Sequence, residues 1–244
     1  LLLATQLTHL ELTIGSHMVD MTSLGAVFQK LPLKTLKLTY DGKDHAYLPS
    51  LSALALESLS LGLGSTTVGC NLLPVILQQT LLTRLHFTAS NAFEWWAEGK
   101  EPSCLPNLLH VALAGPLPMF NAMLPRLPTC LRALSIHAPD SLQTTASDGT
   151  RILLETLERC SSLESLQLCW PGNWHSKPLG QFGSLFFTLT NLVRLHLSHF
   201  QAMDATPLWE HLGKLSYLHQ LHLTETDDIG IDWDTLCSHL PDLA

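Results

Sequence analysis

The sequence predicts an α/β repeat protein in which short parallel strands alternate with helical or 3₁₀ returns. Three observations predict it. Leucine supplies 55 of the 244 residues. Those leucines fall in a recurring phrase, L-x-x-L-x-L, whose starts keep an almost constant spacing. Between the phrases, several segments space apolar residues three or four apart.

The phrase begins at Leu7, Leu33, Leu56, Leu82, Leu108, Leu131, Leu163, Leu192 and Leu218. Successive starts lie 23 to 32 residues apart, about 26 on average, and every interval is 23 plus a multiple of three. Such changes suit whole turns of 3₁₀ or helix added on one side. Within each phrase, leucines alternate with polar residues at the period of a strand with one buried face. Leu72 to Thr80, Arg151 to Arg159, Pro207 to Lys214 and Trp233 to Leu240 are predicted as amphipathic helices. Asp148 or Thr150 would cap the second, and Pro207 suits the first turn of the third.

This pattern resembles the leucine-rich-repeat family, over nearly the whole chain from Leu7 to Leu243. The resemblance implies a horseshoe solenoid of about nine repeats of ~26 residues, with a parallel concave sheet and a helical or 3₁₀ convex side. One feature departs from the family. Its ninth position normally holds Asn or Cys, and here holds Gly15, Asp41, Gly64, Ser90, Pro116, Pro139, Pro171, Phe200 and Thr226. Without an Asn ladder, the turns after the strands must be satisfied in another way. That disfavours the regular extracellular type and is similar to the intracellular, helix-bearing repeats of F-box adaptors and ribonuclease inhibitor. A run at Cys160, Leu163, Leu166 and Leu168 also resembles the cysteine-bearing F-box class. Residues 1–244 read as one solenoid. The absence of an initiator Met and of polar capping repeats leads to the expectation of a piece of a longer protein.

Composition excludes several functions. The formal charge is −8, so a sequence-independent nucleic-acid binder is not expected. No stretch approaches the roughly 18 to 20 apolar residues of a membrane span. The six cysteines form no C-x-x-C pair, and no Asn begins an N-x-S/T sequon, which favours reduced thiols in an intracellular, cytoplasmic or nuclear protein. There is no phosphate-binding loop, dinucleotide fingerprint, H-E-x-x-H or G-x-S-x-G. Leu61 to Ser65 imitates a glycine loop but continues a strand. The acidic run Glu225, Asp227, Asp228, Asp232 and Asp234 lacks calcium-loop spacing. No enzyme activity and no cofactor are expected. His196 and His222 should be neighbours, but a zinc site needs three or four ligands and no third can be placed.

The informative residues stand between the leucines. Positions two, three, five and seven of each phrase should face the concave side, where the core does not need them. The candidate partner-binding residues there are His9, Glu11, Lys37, Arg84, His86, His110, Arg132, Gln167, Arg194, His196, Gln220 and His222. Seven of the thirteen histidines lie on these rows, so the face should gain charge as pH falls through the ordinary histidine range near 6.5. A protein partner with acidic and hydrogen-bonding groups is therefore expected. The expected function is non-enzymatic recognition. The family resemblance implies the substrate-recognition arm of an F-box-type ubiquitin ligase adaptor, or the sensor region of an intracellular immune receptor. The alternatives are a scaffold subunit, toward which Leu63, Leu109, Val193 and Trp170 lean, and an extracellular receptor domain. Two segments interrupt the repeats, Ala92 to Ser103 and Cys169 to Pro178. They carry Trp95, Trp96, Trp170 and Trp174 as covers for repeat ends or as interface anchors.

Overall fold

In the computed structural model the described residues are 6–15, 21–41, 48–64, 73–90, 105–138, 146–169, 188–198 and 212–224. They fall in two compact units, Leu1–Pro128 and Thr129–Ala244. Unit one carries strands β1 (His9–Ile14), β2 (Thr35–Tyr40), β3 (Ser58–Leu63), β4 (Arg84–Ala89) and β5 (His110–Ala114). Its helices are α1 (Met21–Phe28), α2 (Leu48–Leu51), α3 (Leu73–Leu77) and α4 (Leu117–Met123), the last followed by a 3₁₀ turn at Leu124–Arg126. Unit two carries β6 (Ala133–His137), α5 (Ala146–Arg159), β7 (Ser165–Cys169), β8 (Arg194–Ser198) and β9 (Gln220–Thr224).

Within each unit the strands pair in chain order and in parallel. Parallel neighbours require the chain to cross back over the sheet between strands. The leucine phrase sets the register. Leu36 pairs with Leu59, Leu59 with Leu85, and Leu85 with Val111. In unit two, Leu134, Leu166, Leu195 and Leu221 align in the same way. The backbone fixes this register at each described junction. The carbonyl of position two accepts N–H groups from positions two and three of the next repeat. Thr8, Lys34, Glu57 and Thr83 do so in unit one, and Arg132, Glu164 and Val193 in unit two.

The leucines of positions one, four and six make the core. Leu36, Leu38, Leu59, Leu61, Leu85, Phe87, Leu134, Ile136, Leu166, Leu168, Leu195 and Leu197 are all buried. Each such side chain contributes about 1.5–3 kcal/mol by leaving water. Strands β1 and β9 each have one described neighbour, and their apolar residues are only half-buried. On the return side of unit one, α1 packs on α2 and α2 on α3. In α3 the buried residues are Leu73, Ile76 and Leu77; in α5 they include Leu153, Thr156 and Leu157. Both sets follow the spacing an amphipathic helix requires.

The turns dispense with the Asn ladder. The position-nine N–H groups of Asp41, Gly64 and Ser90 donate to the position-eight carbonyls of Ile14, Tyr40 and Leu63 in the preceding repeat. Asparagine instead works just before the first leucine. Asn107 Nδ2 donates to the Thr80 carbonyl at 2.8 Å, and Asn191 Nδ2 to the Ser161 carbonyl at 3.0 Å. Gln79 takes a core position filled by Leu105, Leu189 and Leu215 in other repeats. It is 2% exposed, donates from Nε2 to the Leu51 carbonyl at 2.8 Å and accepts from the Leu56 N–H at 3.4 Å. Gly115 has φ +157°, and a Cβ there would meet the Ala89 carbonyl oxygen at 2.9 Å, so the close approach of these repeats needs glycine.

Some expectations are corrected. The helix expected over Arg151–Arg159 begins at Ala146, which places Asp148 and Thr150 inside it rather than at its cap. The helix expected over Leu72–Thr80 is shorter, Leu73–Leu77. Helices α1, α2 and α4 were not expected, because their short segments show no clear apolar stripe. Leu63 is a core residue, 2% exposed, and offers nothing to a scaffold contact. The segments 207–214 and 233–240, the acidic run and the tryptophans at 95, 96, 170 and 174 lie wholly or almost wholly outside the described residues.

Candidate partner-binding face

The strand register turns the sequence rows into surfaces. In unit one, row three reads His9, Thr35, Ser58, Arg84 and His110, and row five reads Glu11, Lys37, Ser60, His86 and Ala112. In unit two, row three is Ala133, Ser165, Arg194 and Gln220, and row five is Ser135, Gln167, His196 and His222. Of the candidate residues, His9, Glu11, Lys37, Arg84, His86, His110, Arg132, Gln167, Arg194, Gln220 and His222 are exposed, and His196 is half-buried. Row seven has an exception. Cys169 is buried at 6% exposure, although its register neighbours His137 and Ser198 are not.

Charge is distributed unevenly on these rows. Glu11 pairs with Lys37 at 2.6 Å and Glu57 with Lys34 at 2.9 Å. In unit two, Glu164 pairs with Arg132 at 3.3 Å. Every one of these ion pairs joins one repeat to the next along a single row. Such exposed pairs add little stability, about 0–1 kcal/mol, yet they neutralise the carboxylates of the face. Arg84 and Arg194 have no ion-pair partner among the described residues. Lys34, Glu57 and Glu164 belong to this electrostatic pattern and were not among the candidates. Reading row two across neighbouring repeats would have shown their pairing.

Two of the histidines, His86 and His196, are held by hydroxyls two residues on, and His196 also by one from the next repeat. His86 Nε2 lies 3.4 Å from Thr88 Oγ1, and His196 Nε2 lies 3.1 Å from Ser198 Oγ and 3.3 Å from Thr224 Oγ1. These row-seven hydroxyls were also missed, though the strand period already put them on the exposed face. The His196 and His222 rings meet with centroids 4.4 Å apart at a tilt of 48°. Burial, and then the neighbouring His222, lower the His196 pKa from the ordinary 6.5. Among the described residues no third His, Cys, Asp or Glu joins this pair in a metal-holding group.

Of the described cysteines, Cys130 is exposed and Cys160 and Cys169 are buried. Cys160 is fully buried at the end of α5, and burial pushes its thiol up to about 11, so it is protonated at neutral pH. No helix among the described residues is long and apolar enough to cross a membrane.

No family model matches the chain, and no curated protein matches it. Solved structures do resemble it. A structural-genomics target from Bacteroides fragilis aligns over 88% of this chain and 74% of its own, at 14% identity and a TM-score of 0.53. An internalin (inlF) from Listeria monocytogenes aligns over 97% of this chain and 72% of its own, at 13% identity and a TM-score of 0.49. Internalin C2 (inlC2) from the same species aligns over 89% and 70%, at 15% identity and a TM-score of 0.36. Identities this low bear on fold alone. The parallel strands and their leucine register carry the conclusion: the chain is folded as a leucine-rich-repeat solenoid.

Proposed function

We propose that the chain is a protein-recognition module, non-enzymatic, that holds a protein partner against the exposed face of its strands. The observation that carries this reading is the separation of labour along each strand. Alternate residues fill the core, and the residues between them form aligned polar rows that the fold does not use. Within each unit, a hydrogen-bonded sheet presenting such rows fixes several side chains in a set geometry, which favours selective binding. Within this class, the helix-bearing, cysteine-containing repeats support the recognition arm of an F-box-type ubiquitin ligase adaptor or the sensor region of an intracellular immune receptor. The scaffold reading has one specific observation in its favour. Leu81 and Tyr217 are large apolar side chains left 52% and 58% exposed, each just before the first leucine of its repeat.

Photo-crosslinking in cells tests the proposal. A crosslinking residue is placed at Ser60 or Gln167 on the strand face, and at Gln78 or Glu158 on the return side. Recognition by the strand face gives adducts of one protein from the first pair only. Adducts from the return positions alone would remove it.

A further inference from the structure

If the partner is held on the strand face, the charges of that face select the partner's chemistry, so the inference rests on strand-face recognition. On rows two, three, five and seven of unit one there are two carboxylates, Glu11 and Glu57, and each is engaged by a lysine of the next or preceding repeat. Arg84 therefore stands as an exposed guanidinium with no carboxylate of its own among the described residues. Its row neighbours are Ser58 and His110. His86 lies two residues on along the same face, its Nε2 occupied by Thr88.

The floor around them is low. Strand β3 presents Ser58, Ser60 and Gly62, and β5 presents Ala112 and Ala114 beyond His110. His86 thus rises above short neighbours on both sides and Arg84 above Ser58 on one, which leaves the planar guanidinium open to a bidentate acceptor from the β3 side. Arg84 and His86 are separated by two residues of strand, about 6.6–6.8 Å. That is also the spacing of alternate side chains in any extended chain. We propose that the exposed face of β4 docks an extended, acidic segment of the partner, with Asp or Glu at alternate positions received by Arg84 with His110 and by His86.

A similar triplet recurs in unit two as Arg194, His196 and Ser198, and there too the face's carboxylate, Glu164, is already engaged by Arg132. Its surroundings are more crowded. Gln167 and His222 flank His196, and the His222 ring lies against it. The β8 site is accordingly the weaker of the two.

The test uses the whole chain and a labelled peptide of alternating Glu and Ser, about a dozen residues long, more than enough at ~3.3 Å per residue to run the length of the six-residue strand β4. Fluorescence anisotropy at low salt should give saturable binding, weakened about tenfold or more when every Glu is replaced by Gln. Arg84→Gln should lose about tenfold, Arg194→Gln less, and Lys30→Gln, off this face, nothing. Equal binding of the Gln peptide, or an unaltered affinity in Arg84→Gln, overturns the inference. So does displacement by a single-stranded oligonucleotide as effective as by unlabelled peptide, which would mark a general polyanion response. Crosslinks at Ser60 and Gln167 without Glu selectivity would remove the acidic segment and leave strand-face recognition standing. Crosslinks confined to the return side would remove both.

Discussion

Strand β4 presents Arg84, His86 and Thr88, and strand β8 presents Arg194, His196 and Ser198, so the two read alike along the sequence. Their surroundings differ. Beside β4 the row-five neighbours are Ser60 and Ala112, and His86 is exposed. Beside β8 they are Gln167 and His222, and His196 is half-buried with a lowered pKa. A solenoid therefore assigns a residue its row through its own repeat, but its accessibility and acidity through the two repeats beside it.

The largest expected effect in either strand lies on its inner face. Phe87 and Leu197 hold equivalent buried positions. Phe87→Ala should cost about 3–5 kcal/mol and Leu197→Ala about 2–5 kcal/mol in urea unfolding, and a cost near zero for either would break the shared-core account. Next is the polar clamp that only the β3–β4 repeats possess among the described residues. Gln79→Ala leaves the Leu51 carbonyl and Leu56 N–H without that partner and should cost about 1–3 kcal/mol in the same assay.

The histidine pair sharpens the comparison by pH. His222→Gln should raise the His196 midpoint, followed by NMR, part of the way back toward 6.5, because burial remains as the larger cause. Proton counting gives the sign for stability. With its folded pKa lowered, His196 binds fewer protons in the native state than when unfolded, so its contribution is present above 6.5 and declines as pH falls through the lowered value. An unmoved midpoint in His222→Gln would leave burial as the sole cause. The smallest effect belongs to the exposed Arg151–Glu155 pair on α5, 2.7 Å apart. Arg151→Gln should change unfolding stability by no more than about 0.5 kcal/mol.

Most of the strand architecture was legible because two periods coincide. Leucine at positions one, four and six fixes both the core face and the inter-repeat register, so the pairing of Arg84 with His110 and of His196 with His222 follows from spacing. The return side was less legible. Segments such as Met21–Phe28 and Leu117–Met123 are too short to show a stripe, and α5 extends beyond the amphipathic portion that marks it. The candidate face was legible as rows but not as charge balance. That Glu11, Glu57 and Glu164 are neutralised depends on cations one repeat away, which a residue-by-residue reading treats separately. Nor could composition reveal Gln79 as a core clamp, since a lone glutamine among leucines looks like a surface residue.

The central claim is that the outward rows bind and the inward rows fold, and the double variant Arg84→Glu with Arg194→Glu tests it most directly. Its thermal midpoint by circular dichroism and its affinity for the crosslinked partner are measured together. The account predicts an unchanged midpoint and an affinity lower by at least about tenfold. An unchanged affinity, or a midpoint that falls along with it, would contradict the separation of recognition from folding.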